Sequence, residues 1–131
     1  MGNANSIKKL NFEDIQDSLN KDSFLIISTI SSERQECLLP RTLSPSEEIK
    51  RINECLKNNK KINIILYGEN CNCDKLREKY LQLVGLGFVN VYVYLGGLFE
   101  WLLLQDIYGE DEFPTTNLEK DLLKFKSKKI L

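Results

Sequence analysis

The chain has 131 residues, one domain's worth of sequence and enough for a core of ordinary size. With 42% hydrophobic and 28% charged residues it falls in the soluble globular class, and a net charge of −1 offers no electrostatic footprint for nucleic acid. The absence of histidine excludes Ser-His and Cys-His nucleophile designs together with the commonest metal ligand.

No apolar run reaches the length of a membrane span, and no signal-peptide pattern opens the chain. The expected compartment is therefore the cytoplasm, where Cys37, Cys55, Cys71 and Cys73 stay reduced. A Cys-x-Cys without any Cys-x-x-Cys pair is a poor zinc pattern, so neither metal nor cofactor is assigned.

In chain order, Met1-Gly2-Asn3-Ala4-Asn5-Ser6 fits the N-myristoylation pattern, with Gly2 as the acylated residue. Lys8 and Lys9 follow at once and, with the lysines near the other end, supply the basic second signal for peripheral membrane contact. The competing explanation is a chance motif and a solvated tail. Residues 1–9 are expected to be a flexible lead-in.

Asn11 caps a short helix reaching Ser18 or Leu19, with Asp14 three residues on. The apolar, β-branched run 24–30 predicts a buried strand. A polar loop 31–36 and an extended piece at Leu38-Leu39-Pro40 come next. Ser44-Pro45-Ser46-Glu47 then opens a helix as N-cap, first helical proline and capping box. Ile49, Ile52 and Leu56 share one face of it, with Cys55 beside them as a small buried hydrophobe, and Asn58-Asn59 ends it.

Ile62 to Tyr67 is the second strand. Cys73 or Asp74 starts a helix with Leu76, Tyr80, Leu83 and Val84 at helical spacing, closed by Gly85 and Gly87. Val89, Val91 and Val93 alternate with Tyr92 and Tyr94 in a third strand, and Gly96-Gly97 turns into a helix from Leu98 to about Tyr108. Strands separated by helices predict an α/β fold: a central parallel sheet with helices on both faces, strands 24–30, 62–67 and 89–94 adjacent, and loop 68–73 at their C-terminal edge beside a helix start. The domain is expected to span 10–112, with 113–131 as a lysine-rich tail.

The run Ile64-Ile-Leu-Tyr-Gly68, a helix closed by Gly87-Phe88, the strand at Val91, then Gly96-Gly97 and Trp101 resembles the second half of a rhodanese-like domain. The helix, strand, Pro40 turn and capped helix before it resemble the first half, and the type is similar to single-domain members from protists and large DNA viruses. That resemblance implies a three-layer fold and a site in loop Gly68, Glu69, Asn70, Cys71, Asn72, Cys73. It also implies a cysteine immediately after the central strand, carrying a sulfane sulfur in a nest of backbone N–H groups at a helix N-terminus.

Here that position is Gly68. The arginine often found at the loop's far end is replaced by Cys73, and Ser28-Thr29 stand where an acidic residue and an arginine usually follow the first strand. Three departures together point to a catalytically inactive binding or regulatory module, with an unidentified protein partner.

The alternative is a sulfurtransferase acting on a small sulfur-containing substrate, with the persulfide on Cys71 and Cys73 as resolving thiol. Cys71 precedes a helix, which favours a thiolate, but Glu69 and Asp74 nearby oppose it. Cys71 and Arg77 also stand at the Cys-x5-Arg spacing of cysteine phosphatases, without the small residues a phosphate cradle needs. If the nest is intact, Gly68→Cys alone is expected to regain a persulfide.

Overall fold

β-Branched and aromatic residues concentrate in three five-residue runs, and each forms a strand of one sheet. In the computed structural model, which describes residues 7–131, the elements are β1 (Lys8–Leu10), α1 (Phe12–Ser18), β2 (Phe24–Ser28), α2 (Pro45–Asn58), β3 (Asn63–Tyr67), α3 (Asp74–Gly85), β4 (Asn90–Tyr94) and α4 (Gly97–Tyr108). The sheet is parallel throughout, in the order β1-β4-β3-β2. Gly2, the candidate acylation site, lies outside the described residues.

Strand alternation divides the core in two. Ile26, Ile65, Tyr67 and Tyr94 face a layer made by Ile15 of α1 and by Leu98, Trp101 and Leu102 of α4. Leu25, Ile27, Ile64, Leu66, Val91 and Val93 face Ile52 and Cys55 of α2 and Leu76, Tyr80 and Leu83 of α3. Helices therefore cover both faces, as parallel strands require. No helix among the described residues is long and apolar enough to cross a membrane.

Local signals fix the helix ends. Asn11 accepts from the Asp14 backbone N–H at 3.0 Å, and the Asp14 carboxylate accepts in return from the Asn11 N–H at 3.0 Å. Ser44 and Glu47 form the same reciprocal box on α2, at 3.3 and 3.1 Å. Hydrogen bonding from Ser44, its backbone N–H first and its side chain second, holds the Glu47 carboxyl below its usual range. A depressed folded-state pKa means this contribution is present above the ordinary carboxylate range and fades as pH falls through it. Ser44→Ala is expected to cost about 1 kcal/mol at neutral pH, read from the urea midpoint, whereas an unchanged midpoint would mean that packing alone holds the end of α2.

α3 closes through Gly87 at φ +104, whose N–H reaches the Val84 carbonyl at 3.0 Å while Phe88 N–H reaches the Leu83 carbonyl at 3.3 Å. This paired closure satisfies two orphan carbonyls and turns Phe88 into the core.

Several expectations need correction. Lys8 and Lys9, assigned to a flexible lead-in, belong to β1, which pairs with Tyr92–Tyr94. Ile49 shares a helical face with Ile52 yet is 65% exposed, while Ile52 is buried against the sheet. Val84 and Val89 are likewise exposed. The stretch expected to be a lysine-rich tail places Phe113 and Phe125 in the α1/α4 core, and apolar burial explains why it stays down.

Candidate functional site

β3 ends at Tyr67, and the chain turns through Gly68–Cys73 into α3 at the C-terminal edge of the sheet. Ligands of open parallel sheets gather at such an edge. The start of α4 comes to the same place. Leu98 N–H donates to the Gly68 carbonyl at 3.1 Å and Phe99 N–H to the Glu69 carbonyl at 2.9 Å. Two of the N-terminal donors that a helix offers to a ligand are thus spent on the loop's own backbone.

The close approach depends on Gly97. Its φ is +63, and a Cβ there would lie 2.5 Å from the Gly68 oxygen and 3.0 Å from the Asn70 nitrogen. Glycine is required on both counts.

Gly68 itself is buried and crowded. A Cβ at this position would lie 2.9 Å from Sγ of Cys73, 3.0 Å from Oγ1 of Thr29 and 3.2 Å from Cβ of Cys73. The space a side chain at 68 would enter is therefore filled from two sides. Cys73, the N-cap of α3, approaches from one end without making a side-chain cap hydrogen bond. Thr29, just beyond β2, approaches from the other, its hydroxyl donating to the Tyr67 carbonyl at 3.2 Å and lying 3.6 Å from Cys73 Sγ. The simple restoration by Gly68→Cys alone thus runs into an occupied site.

Of the two loop cysteines, Cys73 is half-buried in this cluster and Cys71 is exposed outside it. All four cysteines are free thiols. Cys37 and Cys55 are buried on opposite faces of the sheet, and burial pushes the Cys37 thiol upward. Arg77 is exposed on α3 and does not close a phosphate loop.

The rest of the loop is tied to distant segments. Asn70 accepts from Asn72 N–H at 2.9 Å and donates through Nδ2 to the Phe125 carbonyl at 2.8 Å. Glu69 pairs with Arg34 at 2.9 Å, so the anion expected to raise a neighbouring thiol pKa has its own counter-ion. Arg34 also donates to the Lys124 carbonyl at 2.8 Å. Sequence reasoning missed Arg34 and Phe125. The one available signal was an aromatic residue inside a lysine-rich stretch.

A shallow cleft of about 210 Å³ opens beside the loop, lined by Ser28, Thr29, Lys75, Glu78, Lys79 and Gln82. Residues 68–73 do not line it, and Lys79 is already engaged by Glu48. The cleft shares only Thr29 with the crowded cluster at Gly68.

Comparison with known proteins agrees with this architecture. The model of the rhodanese-like domain matches residues 8–104. A solved structure of a Bacillus halodurans protein superposes with a TM-score of 0.60 at 20% identity, covering 78% of this chain and 74% of that one. One from Anabaena superposes with a TM-score of 0.59 at 19% identity, covering 87% and 84%. At these identities the likeness is one of fold. No curated protein matches the sequence.

Proposed function

Because the chain belongs to the rhodanese-like domain family, we propose that it works as a non-catalytic binding or regulatory module of that fold. The observation that carries the reading is the filled space at Gly68, where Cys73 Sγ and Thr29 Oγ1 stand within 3.0 Å of any added Cβ. The neighbouring carbonyls of Gly68 and Glu69 are committed to α4 as well. A sulfur carrier needs an accessible thiolate at this position, and here the space its side chain would enter is occupied.

The test is a thiosulfate:cyanide sulfurtransferase assay on the wild type, Cys71→Ser and Cys73→Ser. All three are expected to turn over at the uncatalysed background. Turnover that vanishes in one cysteine variant would overturn the proposal.

A second reading draws on the exposure of Cys71, two residues ahead of the α3 N-cap. In it the Cys71 thiolate attacks the outer sulfur of thiosulfate, sulfite leaves with the S–S bonding pair, and the persulfide passes its sulfur to an acceptor. Cys73 would act as resolving thiol. Activity lost specifically in Cys71→Ser selects this reading.

A further inference from the structure

We infer that the C-terminal segment Glu119–Lys126 is the intramolecular occupant of a peptide-recognition groove beside loop 68–73, and that the exchangeable partner of the groove is a peptide of the same chemistry, an aromatic anchor preceded by a lysine. The inference rests on the binding-module reading and names the partner class for it.

The segment is held the way a docked peptide is held. From Pro114 to Leu131 there is no helix or strand, and between Glu119 and Lys126 the backbone bonds to itself in two turns, Lys124 N–H to the Asp121 carbonyl and Lys126 N–H to the Leu123 carbonyl, both at 3.1 Å. Phe125 is the only buried residue in that stretch, fully enclosed within the α1/α4 core while its neighbours stay exposed or half-exposed. Single buried aromatics of this kind are the usual anchors of peptide recognition.

Two successive main-chain carbonyls are read by side chains far away in sequence. Arg34 Nη2 donates to the Lys124 oxygen and Asn70 Nδ2 to the Phe125 oxygen, both at 2.8 Å, across 90 and 55 residues. Main-chain contacts of this type fix the register of a docked segment, and the pocket around Phe125 selects its anchor.

Charge selects the flanking residue. The Arg34 guanidinium lies 5.2 Å from the Phe125 ring centroid and the Lys124 ammonium 5.7 Å from it. The Lys124 ammonium is also 3.6 Å from Glu36 on the domain side, in addition to Glu119 at 2.9 Å within the segment. A lysine before the anchor therefore meets a carboxylate of the domain.

The groove is coupled to the loop because it borrows the loop's side chains. Arg34 bridges the segment to Glu69, and Asn70 orders Asn72 while holding Phe125. Whatever occupies the groove thereby sets the arrangement of the family's active-site loop.

The test uses the folded full chain carrying a site-specific protease sequence after the exposed Leu118. After cleavage in the native state, a fluorescein-labelled peptide spanning residues 119–131 is added and its anisotropy followed. The expected result is a domain that stays folded by circular dichroism while the labelled peptide replaces the cleaved segment. A peptide with Phe125→Ala should fail to enter, and Arg34→Ala in the domain should weaken entry at least tenfold. Unfolding on cleavage would make the segment ordinary core and overturn the inference. So would a folded domain that takes up neither peptide, or both equally. The thiosulfate assay on the same nicked sample keeps the two readings apart. Sulfur transfer appearing there overturns the non-catalytic reading and leaves the groove standing, whereas silence in both assays removes the groove alone.

Discussion

Trp101→Ala is expected to lower the stability of the domain by about 3–5 kcal/mol, a large share of the roughly 5–15 kcal/mol that a domain of this size possesses. Trp101 is fully enclosed on α4 and stands edge-on to two rings, Tyr94 at 6.1 Å and Phe113 at 5.0 Å. Its indole N–H donates to the Pro114 carbonyl at 2.9 Å, so the same side chain fastens the segment after α4 to the sheet. Alanine would leave a cavity, strip two edge-to-face contacts and orphan a carbonyl in one change. Trp101→Phe separates these effects, because it keeps most of the volume and loses the donor. It should cost roughly 1–3 kcal/mol. Urea denaturation followed by circular dichroism measures both, since the variants lack the indole reporter. A loss below about 1 kcal/mol for alanine would mean that α4 is held by its other residues.

The features that sequence alone revealed are those whose cause is local. A capping box needs only residues three apart, and Asn11/Asp14 and Ser44/Glu47 both form as expected. A five-residue apolar run between two helices has few places to go other than a covered parallel sheet, and β2, β3 and β4 are neighbours as expected. The matching family covers residues 8–104.

What escaped has non-local causes. Lys8–Leu10 is too short and too charged to announce a strand and exists through its pairing with β4. Lysine there also blunts an open edge of the sheet. Arg34 sits in a polar loop with no local pattern, and its partners Glu69 and Lys124 become visible only once the fold brings three segments together.

Two buried tyrosines mark the same limit. Tyr67 accepts from Leu39 N–H at 3.1 Å and lies 2.7 Å from the Thr42 hydroxyl. Burial pushes its pKa up to about 12. Tyr94 donates to Glu100 at 2.6 Å, and burial first, then that carboxylate, drives it upward. Both rings face the α1/α4 side of the core. The strand patterns could not tell that their hydroxyls anchor the Leu39–Thr42 turn and the first turn of α4.

Gly68→Cys is expected to destabilise the protein, and to do so through Cys73. The added Cβ meets Cys73 Sγ at 2.9 Å and Thr29 Oγ1 at 3.0 Å, inside the distances that real Cβ atoms keep. Both neighbours are engaged: the Thr29 hydroxyl is bonded to the Tyr67 carbonyl, and the Cys73 side chain packs against the core on the α2/α3 face. The backbone cannot retreat either, because the Gly68 carbonyl is held by Leu98 and backs onto Gly97. Overpacking of this kind costs about 1–3 kcal/mol. Cys73→Gly should cost less by itself than Gly68→Cys, since it gives up only the packing of a half-buried side chain and no cap hydrogen bond. The double variant should then recover most of what Gly68→Cys loses, a coupling readable from a double-mutant cycle in urea. After exposure to thiosulfate, intact-mass analysis should find added sulfur on the double variant in excess of the single one, because only there does the new thiol have room to carry it. Equal stability of Gly68→Cys and the wild type, or strict additivity of the two substitutions, would show that Cys73 does not close the space at residue 68.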